Sequence, residues 1–209
     1  MMIALVLAAM QPAAAPRSAI DAERAFAADA QKIGQWTAFR KWSTPDALMF
    51  TPQPVNAHRF VGRLRNPPHS VYWWPGRSYV SCDGTIAINT GPWVREFGKS
   101  VGYFTTVWAR QPNGGWKWTY DAGDALKFAR DEGGDIKPVI ANCAVRPAPP
   151  PAVRSLGRGT KAAAGGSRDG TVRYAWQVAP DGQREFRAWL WDGKVMQPVI
   201  EDKVAAARP

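Results

Sequence analysis

The order of patterned segments predicts an α+β chain in which N-terminal helices pack in a strongly curved antiparallel sheet, followed by a small C-terminal β-meander. Three observations carry this. Residues 19–42 repeat apolar side chains at helical spacing. Residues 70–121 read as strands and hairpins, broken at Pro75-Gly76 and Gly91-Pro92. Residues 146–168 are rich in Pro, Gly and Ala and separate that run from a further alternating segment. The chain has 209 residues with eleven Trp, eight Phe and five Tyr. So many rings need a large interior, a lined cavity or an interface.

In chain order, residues 1–17 open with an apolar run from Met1 to Met10 and then Ala13, Ala14 and Ala15, like the core and exit of a secretory signal. The run carries no Lys or Arg ahead of it and is too short to cross a bilayer, so no transmembrane segment is expected. Export to the periplasm or beyond is the expectation, with a disordered tail on a cytoplasmic chain as the alternative. Residues 18–145 are expected to form the main domain. Its first helix, residues 19–33, aligns Ile20, Phe26, Ala27, Ala30 and Ile33, and Asp21, Glu23 and Asp29 are expected to face away. Gly34 stops it. A second helix, residues 35–42, carries Trp36, Phe39 and Trp42. Residues 43–46 are expected to turn, with Asp46 as a turn residue, before a short strand at 47–50. A Pro-rich loop follows, with one helical turn at 57–61. Asp83-Gly84 and Pro112-Asn113-Gly114-Gly115 mark hairpins.

Four phrases together resemble one family: the helix from Asp21 to Ile33, Trp36-Thr37-Ala38-Phe39-Arg40, Pro45-Asp46-Ala47-Leu48-Met49-Phe50, and Gly102 to Trp108 followed by Gly115-Trp116-Lys117-Trp118. They are similar to a SnoaL-like domain of the nuclear transport factor two-like superfamily. The resemblance covers residues 18–126. It implies a cystatin-like cone, a bent sheet wrapped round helices with a hollow open at one end. Its members include isomerases, dehydratases and cyclases as well as non-catalytic binding and dimerisation domains, so it implies a fold and leaves the activity open.

In such a cone the expected ligand-facing residues are Trp36, Phe39, Phe50, Trp73, Trp93, Phe104, Trp108 and Trp118. Alternation puts Phe104, Thr106 and Trp108 on one face, and Trp116, Trp118 and Tyr120 opposite Lys117, Thr119 and Asp121. The candidate catalytic set is Asp121, Asp124, Tyr103, Tyr120 and His58. A carboxyl beside Trp and Tyr rings is desolvated and suited to proton transfer. For Asp121 and Asp124 the competing reading is capping of a turn or of a short helix at 125–130. His58 and His69 lie in Pro-rich loops. No metal-ligand spacing, nucleophile elbow, phosphate loop or dinucleotide fingerprint occurs, so neither metal nor cofactor is expected.

The net charge is +10, from 27 Lys and Arg against 17 Asp and Glu. The excess is spread along the chain without a basic run, which argues against a nucleic-acid partner. Cys82 and Cys143, the two cysteines, are expected to pair if the chain is exported and to be buried thiols if it is not. After the linker at 146–168, residues 169–209 read as three short strands with turns at Asp181-Gly182 and Asp192-Gly193. Such a meander is marginal alone and should dock. Trp189 and Trp191 form its docking face, or meet a sugar, a headgroup or a protein. The functional expectation is an exported domain binding a small apolar or aromatic molecule in its cone, or a homodimerisation scaffold. An isomerase, dehydratase or cyclase and a cell-envelope interaction module are the alternatives.

Overall fold

The computed structural model describes residues 17–130 and 135–206, so the signal-like run and the end of the chain lie outside the described residues. Helix α1 (Ala19–Ile33) begins where the Ser18 hydroxyl accepts the Asp21 N–H and ends at Gly34, whose φ of 94° suits glycine. Helix α2 (Gln35–Trp42) has no cap of its own sequence. Asn66, thirty residues on, supplies one: its Oδ1 accepts the Trp36 and Thr37 N–H groups at 2.7 and 3.2 Å. Helix α3 (Ala57–Val61) is the expected single turn, capped by Asn56.

The first sheet contains β1 (Ser43–Phe50), β2 (Pro54–Asn56), β3 (Tyr72–Trp73), β4 (Arg77–Val80), β5 (Ile86–Arg95), β6 (Ser100–Arg110), β7 (Trp116–Leu126) and β8 (Val139–Ile140). Its order is β2-β1-β7-β6-β5-β4-β8, with β3 also on β5. The central hairpins are antiparallel as expected, but β1 joins β7, and β8 joins β4, in parallel. The turn expected at residues 43–46 is therefore strand. The chain leaves α2 extended, buries Ser43 and Thr44, and runs beside β7, leaving Asp46 exposed on β1. Pro75-Gly76 separates β3 from β4, and both halves still pair with β5. The expected helix at 125–130 is absent because β7 continues to Leu126 in register with β6.

A register shift opposite Val107 and Trp108 puts Thr119 out of step in β7. Trp116 and Trp118 face the helices, whereas Tyr120 belongs to the core on the other side of the sheet. Asp121, paired with Thr106, turns back toward the helices. Simple alternation had placed Tyr120 with the two Trp residues and Asp121 opposite them, and one extra residue reverses both.

The second sheet has four strands rather than three: β9 (Lys161–Gly166), β10 (Val172–Val178), β11 (Arg184–Trp191) and β12 (Met196–Val204), in the order β12-β11-β10-β9. Strand β9 forms from the Ala- and Gly-rich stretch expected as coil. Its small residues are a packing requirement, since a Cβ at Gly165 would overlap the Tyr174 phenol.

The layers are helices, first sheet and second sheet. One core joins Phe26 of α1 to Trp73, Phe104, Trp108 and Trp118. The other joins Ile88, Val107 and Tyr120 to Val172, Trp176, Phe186 and Ile200 of the second sheet. Polar ties cross the same boundary. Thr105 donates to Asp202 at 2.6 Å, Arg130 pairs with Asp202 at 2.6 Å, and Arg184 donates to the Gly123 carbonyl at 2.9 Å. Cys82 and Cys143 are disulfide-bonded, with Cα atoms 5.4 Å apart. The outer face of the first sheet is thus covered by this chain's own second sheet. Trp189 and Trp191 are buried too, with the Trp191 indole N–H donated to the Val145 carbonyl at 2.9 Å. No described helix is long and apolar enough to cross a membrane.

Candidate functional site

Between the helices and the first sheet, a cavity of about 350 Å3 opens beside the end of β5 and β7. Trp36 and Phe39 of α2, Met49 of β1, Trp73 of β3, Trp93 of β5 and Phe104 of β6 form its apolar walls. Gln35, Arg95, Tyr103, Asp121 and Asp124 bring polar groups to it. Glycine makes the wall possible. A Cβ at Gly102 would overlap the Trp93 ring and the Asp124 carbonyl, so the indole lies flat over the strand and donates to the Tyr103 carbonyl at 2.9 Å. The Arg95 guanidinium sits 4.6 Å from the centre of that ring.

Asp121 is the chemically distinctive group. It is half-buried and lines the cavity, and the Thr106 hydroxyl lies 2.9 Å from its Oδ2. Desolvation, reinforced by the charge of Glu23, raises its carboxyl to about 8 despite that hydrogen bond. Near neutral pH it is mainly protonated and able to donate a hydrogen bond. Behind it lies Glu23, 0% exposed. The Trp73 and Trp108 indoles donate to its two oxygens at 2.9 and 2.6 Å, and the Asn89 amide adds a third hydrogen bond at 3.2 Å. Burial raises Glu23 to about 7 against these three donors.

Sequence reasoning placed Glu23 on the solvent side of α1, and the structure corrects this. The signal was available, because Glu23 lies three residues after Ile20 and four before Ala27, inside the apolar stripe. A carboxyl in that stripe is tolerable only where donors converge on it.

The expected ligand-facing residues divide. Trp36, Phe39, Trp73, Trp93 and Phe104 line the cavity. Trp108 and Trp118 are wholly buried in the core beside α1, and Phe50 packs against Tyr120 and Trp176 under the second sheet. Of the candidate catalytic set, Asp121, Asp124 and Tyr103 reach the cavity and Tyr120 does not. Tyr103 is held against Arg130, 3.9 Å from its ring centre, and burial with the nearby Asp202 charge pushes its phenol well above the ordinary range. Asp124 accepts the Ala125 N–H at 2.8 Å. His58 lies in α3 outside the cavity, its Nε2 3.4 Å from the Ser43 carbonyl, and His69 touches Phe97. Among the described residues no three His, Cys, Asp or Glu side chains are grouped to hold a metal.

Helices against one face of the first sheet, with a hollow between them, accord with the α+β arrangement expected from the sequence. Among solved structures, a ketosteroid isomerase-like protein from Parabacteroides distasonis is similar at 16% identity and a TM-score of 0.42, covering 56% of this chain and 96% of that one. A nuclear transport factor two-like superfamily protein from Salmonella enterica is similar at 14% identity and a TM-score of 0.37, covering 57% of this chain and 94% of that one. At these values neither transfers an activity. No family model and no curated protein matches the chain.

Proposed function

We propose that the cavity encloses a small apolar or aromatic molecule bearing one polar group, and that Asp121 meets that group. The observation that supports this reading is a desolvated carboxyl opening into a wall of Trp and Phe rings in a space of about 350 Å3. The rings supply burial and offset stacking, and the protonated acid supplies one directed hydrogen bond. The Cys82–Cys143 bond accords with an oxidising compartment and with the export reading of residues 1–17. Native mass spectrometry of protein purified from its own host tests for a retained ligand. Titration with 2-naphthol, followed by Trp fluorescence, tests the site. Asp121→Asn keeps a donor, whereas Asp121→Ala removes it and should weaken binding about tenfold. Equal affinity in the parent, D121A and Trp93→Ala would refute the reading.

A second reading, proton-transfer catalysis of the isomerase, dehydratase or cyclase kind, is favoured by the same raised carboxyl. Ionised Asp121 would take a proton from the carbon beside a carbonyl and return it at another carbon, with the apolar walls excluding water. Turnover of a β,γ-unsaturated ketone to its conjugated isomer should then rise with pH through about 8 and vanish in D121A.

A further inference from the structure

The open end of the cavity carries apolar side chains that the fold leaves unpacked. Phe97, at the tip of the β5–β6 hairpin, is 94% exposed; Phe128, just beyond β7, is 75% exposed, and Tyr72 of β3 is 55% exposed. Cross-strand register brings them to one end. Tyr72 pairs with Val94, Val94 with Val101 and Val101 with Leu126, while Arg95 pairs with Ser100 at the base of the hairpin. The hairpin tip is not relaxed. Glu96 and Phe97 have φ of 50° and 56°, the left-handed region that non-glycine residues rarely occupy. That conformation aims the Phe97 ring at solvent beside His69, where no core accounts for it.

The same end carries Arg95, Lys99 and Lys127, all exposed, against Glu96 and Asp124. Lys127 lies 5.5 Å from the Phe128 ring. Aromatic tips interleaved with exposed lysines match the boundary between anionic headgroups and acyl chains.

We propose that this end of the molecule docks on an anionic lipid bilayer, with Phe97 and Phe128 entering the interface and Lys99 and Lys127 meeting the headgroups. Docking there sets the cavity mouth against the membrane, a source of apolar molecules. The surface stands apart from the cavity reading, so a failure of docking leaves ligand binding to be judged by its own titration.

The test is co-sedimentation of the full chain with vesicles of phosphatidylglycerol and phosphatidylcholine, and with phosphatidylcholine alone. Binding should need the anionic lipid and fall as salt is raised. Phe97→Ser with Phe128→Ser should lower partitioning on the order of tenfold, and Lys99→Glu with Lys127→Glu by at least as much. All four residues are exposed, so unchanged circular dichroism and melting should accompany the loss. As a control, Val139→Ser with Ile140→Ser alters an exposed apolar pair on β8, at the edge of the sheet, and should bind as the parent does. Equal binding to both vesicle types, or variants that sediment like the parent, would overturn the proposal. Binding to native membranes that protease treatment abolishes, with none to pure lipid, would overturn it in favour of a protein partner.

Discussion

Glu23 and Asp121 are carboxyls carried into an apolar layer by two different devices, a helix stripe and a strand bulge. Burial raises both, from 4.5 to about 7 and from 3.8 to about 8. The folded chain therefore holds these protons more tightly than the unfolded chain, and stability falls as pH rises from the unfolded values through the folded ones. Asp83 and Asp169 act in the opposite sense. Partial burial opposes their ionisation, but hydrogen bonds from Ser81 and Thr85, and from Ser167 and Thr171, outweigh it and lower both. Their contribution is lost as pH drops below the unfolded value of 3.8. The melting temperature should thus peak at mildly acidic pH and decline toward pH about 8, and D121N should flatten that decline. A parent protein whose melting is level between mildly acidic and mildly alkaline pH would contradict the burial of these acids. Glu23→Gln should lose stability even at the optimum, by about 1–3 kcal/mol, because the amide nitrogen cannot accept from an indole N–H.

At the scale of elements, β6 and β7 decide the site. The shift at Thr119 delivers Asp121 to the cavity and Tyr120 to the opposite core, where it packs on Phe50 and Phe186. Removing Thr119 would erase the bulge and leave Trp118, Tyr120 and Asp121 in register with Trp108, Val107 and Thr106, each on its present face. That deletion should keep both cooperative unfolding in urea and 2-naphthol binding, and loss of either would mean that Thr119 does more than offset the register. Gly102 sets the other wall, since its missing side chain is the space Trp93 fills. Gly102→Ala should cost about 1–3 kcal/mol in urea denaturation, because the Asp124 carbonyl it would strike belongs to the neighbouring strand. It should also weaken 2-naphthol binding by driving Trp93 into the cavity. Strand β9 shows the same logic, with glycine serving close approach to Tyr174 rather than chain freedom.

Over the whole molecule, the second sheet covers the face of the first sheet that points away from the helices. Ile88, Val107 and Tyr120 lie in one core with residues from β10, β11 and β12. A chain ending at residue 145 should expose that surface and self-associate, as light scattering after size-exclusion chromatography would show; a monodisperse monomer would mean the second sheet contributes little. Arg130 and Asp202 reinforce the contact, and with Asp202 nearly buried, Arg130→Ala leaves a carboxylate without its cation. The disulfide closes a loop between positions 61 apart, and Cys82→Ser with Cys143→Ser should lose about 4 kcal/mol in equilibrium unfolding.

Local pattern by itself determined the helices, the hairpins and the chain's α+β order, because helical stripes, Asp83-Gly84 and Pro112 to Gly115 act through neighbours along the chain. It also assembled most of the cavity wall, in Trp36, Phe39, Trp73, Trp93 and Phe104. Only the tertiary structure decided which carboxyl enters the hollow, that Glu23 lies inside, and that Phe50, Trp108 and Trp118 belong to solid core. Periodicity assigns faces only until a strand gains an unpaired residue, and whether a face is covered depends on segments about a hundred positions away, as Thr105 and Asp202 illustrate.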